Sequence, residues 1–107
     1  MINAEFIEIV EAQNRRCLKL LDKKQKEQYG ITDDEDRLIQ FKKLAVLKNR
    51  TRLQSVGDLM SKHTTMIYDL IETDALESKI WQEVINDHMN YLHLLKAQLV
   101  EDGILKS

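Results

Sequence analysis

The chain has no proline and only three glycines in 107 residues. Strands joined by tight turns draw heavily on Gly, Pro, Asn and Asp, so their scarcity excludes a turn-rich sheet protein and favours a few long helices. A single cysteine, Cys17, excludes an internal disulfide and suits a reducing, cytoplasmic setting. Free cysteine is among the most buried residue types, so Cys17 reads as a core thiol. No apolar run approaches ~18 residues, which leaves no transmembrane candidate. The N-terminus has neither the basic nor the apolar region of a signal peptide. A net charge of −2 lacks the basic excess of a general nucleic-acid binder. There is no Gly-rich phosphate loop, no Ser-centred elbow and no CxxC pair.

What is present is 43% hydrophobic and 32% charged, a globular rather than a disordered mix. The length suits one domain over 1–107. Helical spacing of apolar residues predicts an all-α four-helix bundle with long first and last helices. The first helix is expected from about Asn3 to Gln28, with Ile2, Phe6, Ile9, Val10, Cys17, Leu20 and Leu21 on one stripe. Asn3 is a candidate N-cap and Gly30 a natural stop. Thr32-Asp33-Asp34-Glu35 has the form of a capping box and predicts the start of the second helix. Leu38, Phe41, Leu44, Ala45 and Leu47 form that helix's buried side. Asn49-Arg50-Thr51-Arg52 is the expected break, with Thr51 capping a third helix to about Glu72. Its stripe is Leu53, Val56, Met60, His63, Ile67 and Leu70. The fourth helix is expected from Leu76 or Ser78 to Asp102, with Gly103 as its stop.

On the last helix, Ile80, Trp81, Val84, Met89, Tyr91, Leu92, Leu94, Leu95 and Leu99 cover more than half of the helical wheel. An arc that wide implies contact on two sides, by another helix of the chain or by a second subunit, and so a homo-oligomer. Asp87 lies inside this arc. A charge removed from water costs several kcal/mol unless paired, hydrogen-bonded or metal-bound. Glu83 sits one turn earlier, and carboxylates at i and i+4 can share a Mg²⁺ or Mn²⁺; a buried salt bridge satisfies Asp87 equally well. Asp69 and Glu72 form a second acidic pair on the preceding helix. His63, within its apolar stripe, reads most simply as a hydrogen-bonded core residue. Asp58 and Lys62 form an ordinary i,i+4 pair. Lys42, Lys43, Lys48, Arg50 and Arg52 make a basic stretch without interleaved aromatics, better suited to a solvated helix end than to nucleic acid.

The run Trp81-Gln82-Glu83-Val84-Ile85-Asn86-Asp87-His88-Met89-Asn90-Tyr91-Leu92-His93-Leu94-Leu95 resembles the last helix of small phage and prophage MazG-like proteins, of the all-α NTP pyrophosphatase group. Short pieces upstream share the likeness: Ser61-Lys62-His63 with Asp69, Asp36-Arg37 with Phe41, and Lys23/Lys24 with Tyr29. The resemblance implies an oligomeric helical bundle that binds a nucleoside triphosphate or hydrolyses it with Mg²⁺ or Mn²⁺. It implies metal ligands at Asp69, Glu72, Glu83 and Asp87, with Glu83 and Asp87 catalytic. Lys62, His63, Asn90 and Tyr91 would then bind substrate. The family's Glu-x-x-Glu and Glu-x-x-Asp motifs are altered here to Asp69-Leu70-Ile71-Glu72 and Glu83-Val84-Ile85-Asn86-Asp87. The alternative is a non-catalytic helical dimerisation or adaptor protein of phage or prophage origin.

Overall fold

The apolar periodicity becomes four helices in the computed structural model: α1 (Asn3–Gln28), α2 (Ile39–Lys48), α3 (Arg52–Glu72) and α4 (Ser78–Glu101). The structure describes residues 1–28, 30, 32 and 35–106, with the backbone alone at Lys24, Gln25, Lys26 and Gln28. No strand occurs among the described residues. None of their helices is long and apolar enough to cross a membrane. The helices fall into two compact units, Met1–Glu35 and Asp36–Ser107, and each is described by itself.

The first unit is built on α1, which begins at Asn3. Gly30 has φ +62°, a left-handed conformation that glycine adopts without a Cβ penalty. Cys17 is buried and its Sγ accepts a hydrogen bond from Gln13 Nε2 at 3.4 Å. Ile2, Phe6, Ile9 and Val10, at the start of the same stripe, are exposed.

The second helix begins later than its sequence expectation. Thr32 and Glu35 are linked, backbone to backbone at 3.1 Å and side chain to side chain at 3.2 Å, yet no helix starts there. Asp33 and Asp34 of the expected capping box lie outside the described residues. The helix starts at Ile39, and its N-cap residue, Leu38, makes no side-chain cap hydrogen bond; Asp36 Oδ1 accepts the Leu38 N–H at 3.0 Å in the turn that leads into the helix. An aspartate bonded to the amide two residues on is an Asx turn.

The later boundaries follow the sequence closely. α2 closes on Asn49 in the left-handed region (φ 53°), with Arg50 N–H donating to Ala45 O at 2.9 Å. Thr51 then caps α3 through a reciprocal capping box: Gln54 N donates to Thr51 Oγ1 at 3.0 Å and Thr51 N to Gln54 Oε1 at 2.9 Å. α4 ends in a Schellman motif. Ile104 N donates to Leu99 O and Gly103 N to Val100 O, around Gly103 at φ +78°. This pairing satisfies carbonyls that a helix end leaves without a partner.

Leu38, Phe41 and Val56 form the buried centre of the unit, and Leu94, Leu95 and Ala97 pack against them. Three helices therefore meet there. The α3 stripe is confirmed: Leu53, Val56, Met60, His63, Ile67 and Leu70 are all buried or half-buried. On α4, Trp81, Val84, Met89, Tyr91, Leu94, Leu95 and Leu99 are likewise covered at least in part, whereas Ile80 and Leu92 are exposed. The width of the arc is met in part by α2 and α3 of the same chain.

Ion pairs stitch the rim of this core. Lys42 bridges Asp36 on one side and Glu101, at 2.6 Å, on the other; Arg52 approaches Glu101 at 3.6 Å. Arg50 holds Asp58 through two bonds of 2.9 and 2.8 Å. Asp58 is thus paired with Arg50, and the expected Asp58/Lys62 contact gives way to a bidentate guanidinium, the better match to a carboxylate. Three of the five cations in the basic stretch are held by carboxylates of the same unit.

Two outcomes follow from this packing. Phe41→Ala should cost about 3–5 kcal/mol, the usual range for emptying a core aromatic site, and urea denaturation reads it directly. Gly103→Ala meets open space but must hold a positive φ, so it should cost about 1 kcal/mol. A third concerns pH. The Lys42 side chain, and then the Leu38 amide, hold the Asp36 carboxyl below its ordinary value of 3.8. A depressed folded-state value stabilises the fold above pH 3.8, and that contribution is lost as pH falls below it. Lys42 is raised above its ordinary 10.5, first by Asp36 and then by Glu101, so its contribution is present below pH 10.5 and lost as pH rises beyond. Asp36→Asn should therefore flatten the acid limb of a stability–pH curve below about pH 4.

Candidate functional site

α3 and α4 run antiparallel, joined by a tight connection over 73–77. Thr73 and Asp74 shape it: Ala75 N donates to Leu70 O, Asp74 N to Ile71 O, and Asp74 adopts φ 49°. Trp81 Nε1 donates to Ala75 O at 2.7 Å, which ties the start of α4 to this turn. Further along the hairpin the rings of His63 and Tyr91 lie 4.7 Å apart, tilted by 31°. This contact fixes the register and brings together two of the residues expected to bind substrate.

The polar character of the α4 face is the main feature that the sequence reading did not single out. Asn86 and Asn90 are buried, and Gln82 Nε2 donates to Asn86 Oδ1 at 2.8 Å. Gln82, Asn86 and Asn90 recur at intervals of four, a polar line where a purely structural bundle would place leucine. Gln98 is also fully buried, its Nε2 donating to Asp102 Oδ1 at 2.9 Å. Of these Asn90 was expected at the site, and the i, i+4, i+8 repeat of amides is the sequence signal that marks Gln82 and Asn86.

On the α3–α4 hairpin four buried polar atoms have no hydrogen-bond partner among the described residues: His63 Nδ1, His88 Nδ1, Asn90 Oδ1 and Gln98 Oε1. Asn90 is only 7% exposed, so water reaches it poorly. A buried polar atom without a partner costs roughly 1–3 kcal/mol. Asp87, one turn from Tyr91, is half-buried and engaged in a polar or electrostatic interaction; the expectation that it needs a partner holds.

The acidic residues are distributed differently from what a shared cation requires. Asp69, Glu72 and Glu83 are exposed and Asp87 is half-buried. On α3, Asp69 and Glu72 lie off the His63 stripe that faces α4. No group of three or more His, Cys, Asp or Glu side chains able to hold a metal ion forms among the described residues. A divalent cation bound by protein takes several oxygen ligands converging within about 2.0–2.6 Å of the ion. Among the described residues the four acids form no such converging group within one chain. Lys62 is exposed beside His63, with its charge available to an anion.

If the unpaired Asn90 oxygen is a sacrifice of stability, then Asn90→Leu should stabilise the unit by about 1 kcal/mol, since an apolar group of similar shape removes the desolvation penalty. Differential scanning calorimetry checks this, with a higher midpoint expected.

Compared with known proteins, the chain matches no family model, no curated protein and no solved structure.

Proposed function

We propose that this chain is a nucleotide-binding helical protein of MazG-like type, its ligand recognised on the polar face of α4 beside α3. The observation that carries this reading is the set of buried, unpartnered atoms at His63, His88 and Asn90. A bundle under selection for stability alone replaces such groups with aliphatic side chains. A nucleobase supplies the missing partners, because its edge presents donors and acceptors within a flat, largely apolar body.

Each residue has a role on this reading. Asn90 Oδ1 accepts from an exocyclic amine. The tilted rings of His63 and Tyr91 offer an aromatic surface for stacking, an interaction worth about 1–3 kcal/mol per base. Lys62, exposed on the neighbouring position of α3, supplies positive charge to the phosphates. Asp87 orients the sugar or the bound phosphate through water. The residues needed for recognition are thus present on one hairpin, and the reading does not depend on convergence of the four acids.

Isothermal titration with a panel of nucleoside triphosphates and deoxynucleoside triphosphates, each with and without Mg²⁺, tests it. At least one should bind the wild type. Asn90→Leu and Tyr91→Ala should weaken that binding about tenfold or more, the loss expected when one good polar or stacking contact is removed. Absence of binding across the panel would overturn the proposal. So would unchanged affinity in Asn90→Leu.

A further inference from the structure

Asp69 and Glu72 join no metal-holding group among the described residues, but the end of α3 that carries them is apolar as well as acidic. Tyr68 and Ile71 are 64% and 52% exposed there. Ile71 follows Tyr68 by three residues and Glu72 follows it by four, and Asp69 lies three before Glu72. Residues at these spacings are neighbours on a helix surface. Ile71, Tyr68, Glu72 and Asp69 therefore follow one another around a single arc, and all four are exposed.

The turn that follows adds a third apolar side chain. Ala75 N donates to Leu70 O and Asp74 N to Ile71 O, with Asp74 at φ 49°. Ala75 is half-buried, and its carbonyl is tied to Trp81 Nε1 at 2.7 Å. The turn is thus held in place, yet Leu76 within it is 94% exposed. Glu77, the N-cap residue of α4, comes next.

The charge of this tip is of one sign. From Tyr68 to Ile80 the chain holds Asp69, Glu72, Asp74 and Glu77 against a single cation, Lys79. All four acids are exposed. Among the described residues none of the four takes part in a salt bridge, whereas Lys42, Arg50 and Arg52 of the same unit are committed to Asp36, Asp58 and Glu101. Like charge turns away nucleic acid and anionic lipid. Exposed apolar side chains rimmed by uncompensated charge fit a protein surface of the opposite sign.

We infer that the α3–α4 tip is a docking surface for a basic amphipathic helix of another protein. Tyr68, Ile71 and Leu76 cover the apolar stripe of that helix. Tyr68 is the anchor, because a large, stiff side chain with a polar end carries much of the energy at protein contacts. Asp69, Glu72, Asp74 and Glu77 lie against lysines or arginines that border the stripe. Burial of an amphipathic helix by its apolar positions is a recurrent mode of recognition, and the flanking charges set which helices are accepted. None of these residues is assigned to the nucleotide, so either surface can be lost without the other.

The probe is a synthetic peptide of about 18 residues, leucine and lysine at helical spacing, labelled at one end. A counterpart has glutamate at every lysine. Fluorescence anisotropy compares the full chain with Asp69→Lys/Glu72→Lys, with Tyr68→Ser/Ile71→Ser, and with Glu8→Lys/Glu11→Lys, an equal charge reversal at exposed positions of α1. Circular dichroism establishes that helix content is intact in each. The wild type should bind the lysine peptide and not the glutamate one, more weakly as salt rises. Both tip variants should lose about tenfold or more in affinity, and the α1 variant should stay within about twofold of the wild type. No binding of the lysine peptide overturns the inference. So does an equal loss in the α1 variant, which marks attraction by net charge alone, or unchanged affinity in Tyr68→Ser/Ile71→Ser. Sedimentation equilibrium supplies the last arm. Self-association of the wild type that Asp69→Lys/Glu72→Lys abolishes also overturns the inference, since the occupant is then a second copy. Such a copy would offer Lys43 with Val46 and Leu47 (the latter expected on the buried side of α2, but 80% exposed).

Discussion

The meeting of Leu38 and Phe41 with Val56, and of all three with Leu94, Leu95 and Ala97, is the contact on which the second unit depends. Val56 is wholly buried, and it lies on α3, the only helix that packs broadly against both of the others. A three-helix unit of this size buries little apolar surface, and a few large side chains carry most of its stability. The ion pairs from Lys42 and Arg52 to Glu101 close the same end of the unit. They are solvent-facing, so they direct which helix ends meet more than they add stability. Everything on the α3–α4 hairpin beyond that end, including the polar face, is positioned by this anchor.

From the anchor outward, the hairpin changes character. Around Val56 its interior is mainly aliphatic, although Ser55 and Gln98 are also wholly buried. Midway it holds His63, Tyr91, Asn86 and Asn90, and nearer the turn Ile67, Leu70, Trp81 and Val84 make it apolar again. The apolar positions supply stability, and unpaired atoms are tolerated at His63, His88, Asn90 and Gln98. Polar groups held in a fixed arrangement at a cost in stability are what a recognition site requires, since a ligand gains most from partners that need no reorganisation.

Helix boundaries were the most legible part of the fold. Thr51 caps α3 as expected, with Gln54 completing a reciprocal box, and Gly103 takes the left-handed conformation after α4. These are local effects, decided by residues within a few positions of each other. The second helix shows where local reasoning fails. Thr32 and Glu35 make their side-chain contact, but the helix waits until Ile39, after Asp36 has held the Leu38 amide and Leu38 has entered the core. Burial of Leu38 and Phe41 sets that start, and a capping box seven residues earlier cannot. Part of the candidate site was legible too: the place of His63 on its stripe and the half-buried position of Asp87 both came from the helical wheel. The convergence of Asp69 and Glu72 with Glu83 and Asp87 could not be read that way, because a wheel gives direction about one axis and says nothing of how two axes are turned.

The sequence by itself determined that the chain is helical, where its helices stop, and which stripe of α3 is covered. Those follow from 3.6-residue periodicity, capping chemistry and the absence of proline. The tertiary structure alone decided that Arg50, not Lys62, takes Asp58, that Leu47 faces water, and that Asn86 and Asn90 are buried while three of the four acids are exposed. Each of these depends on the rotation of one helix against another. That rotation is fixed by how Phe41, Val56 and Leu94 fill the space between helices, a matter of shape in three dimensions that no spacing along the chain encodes.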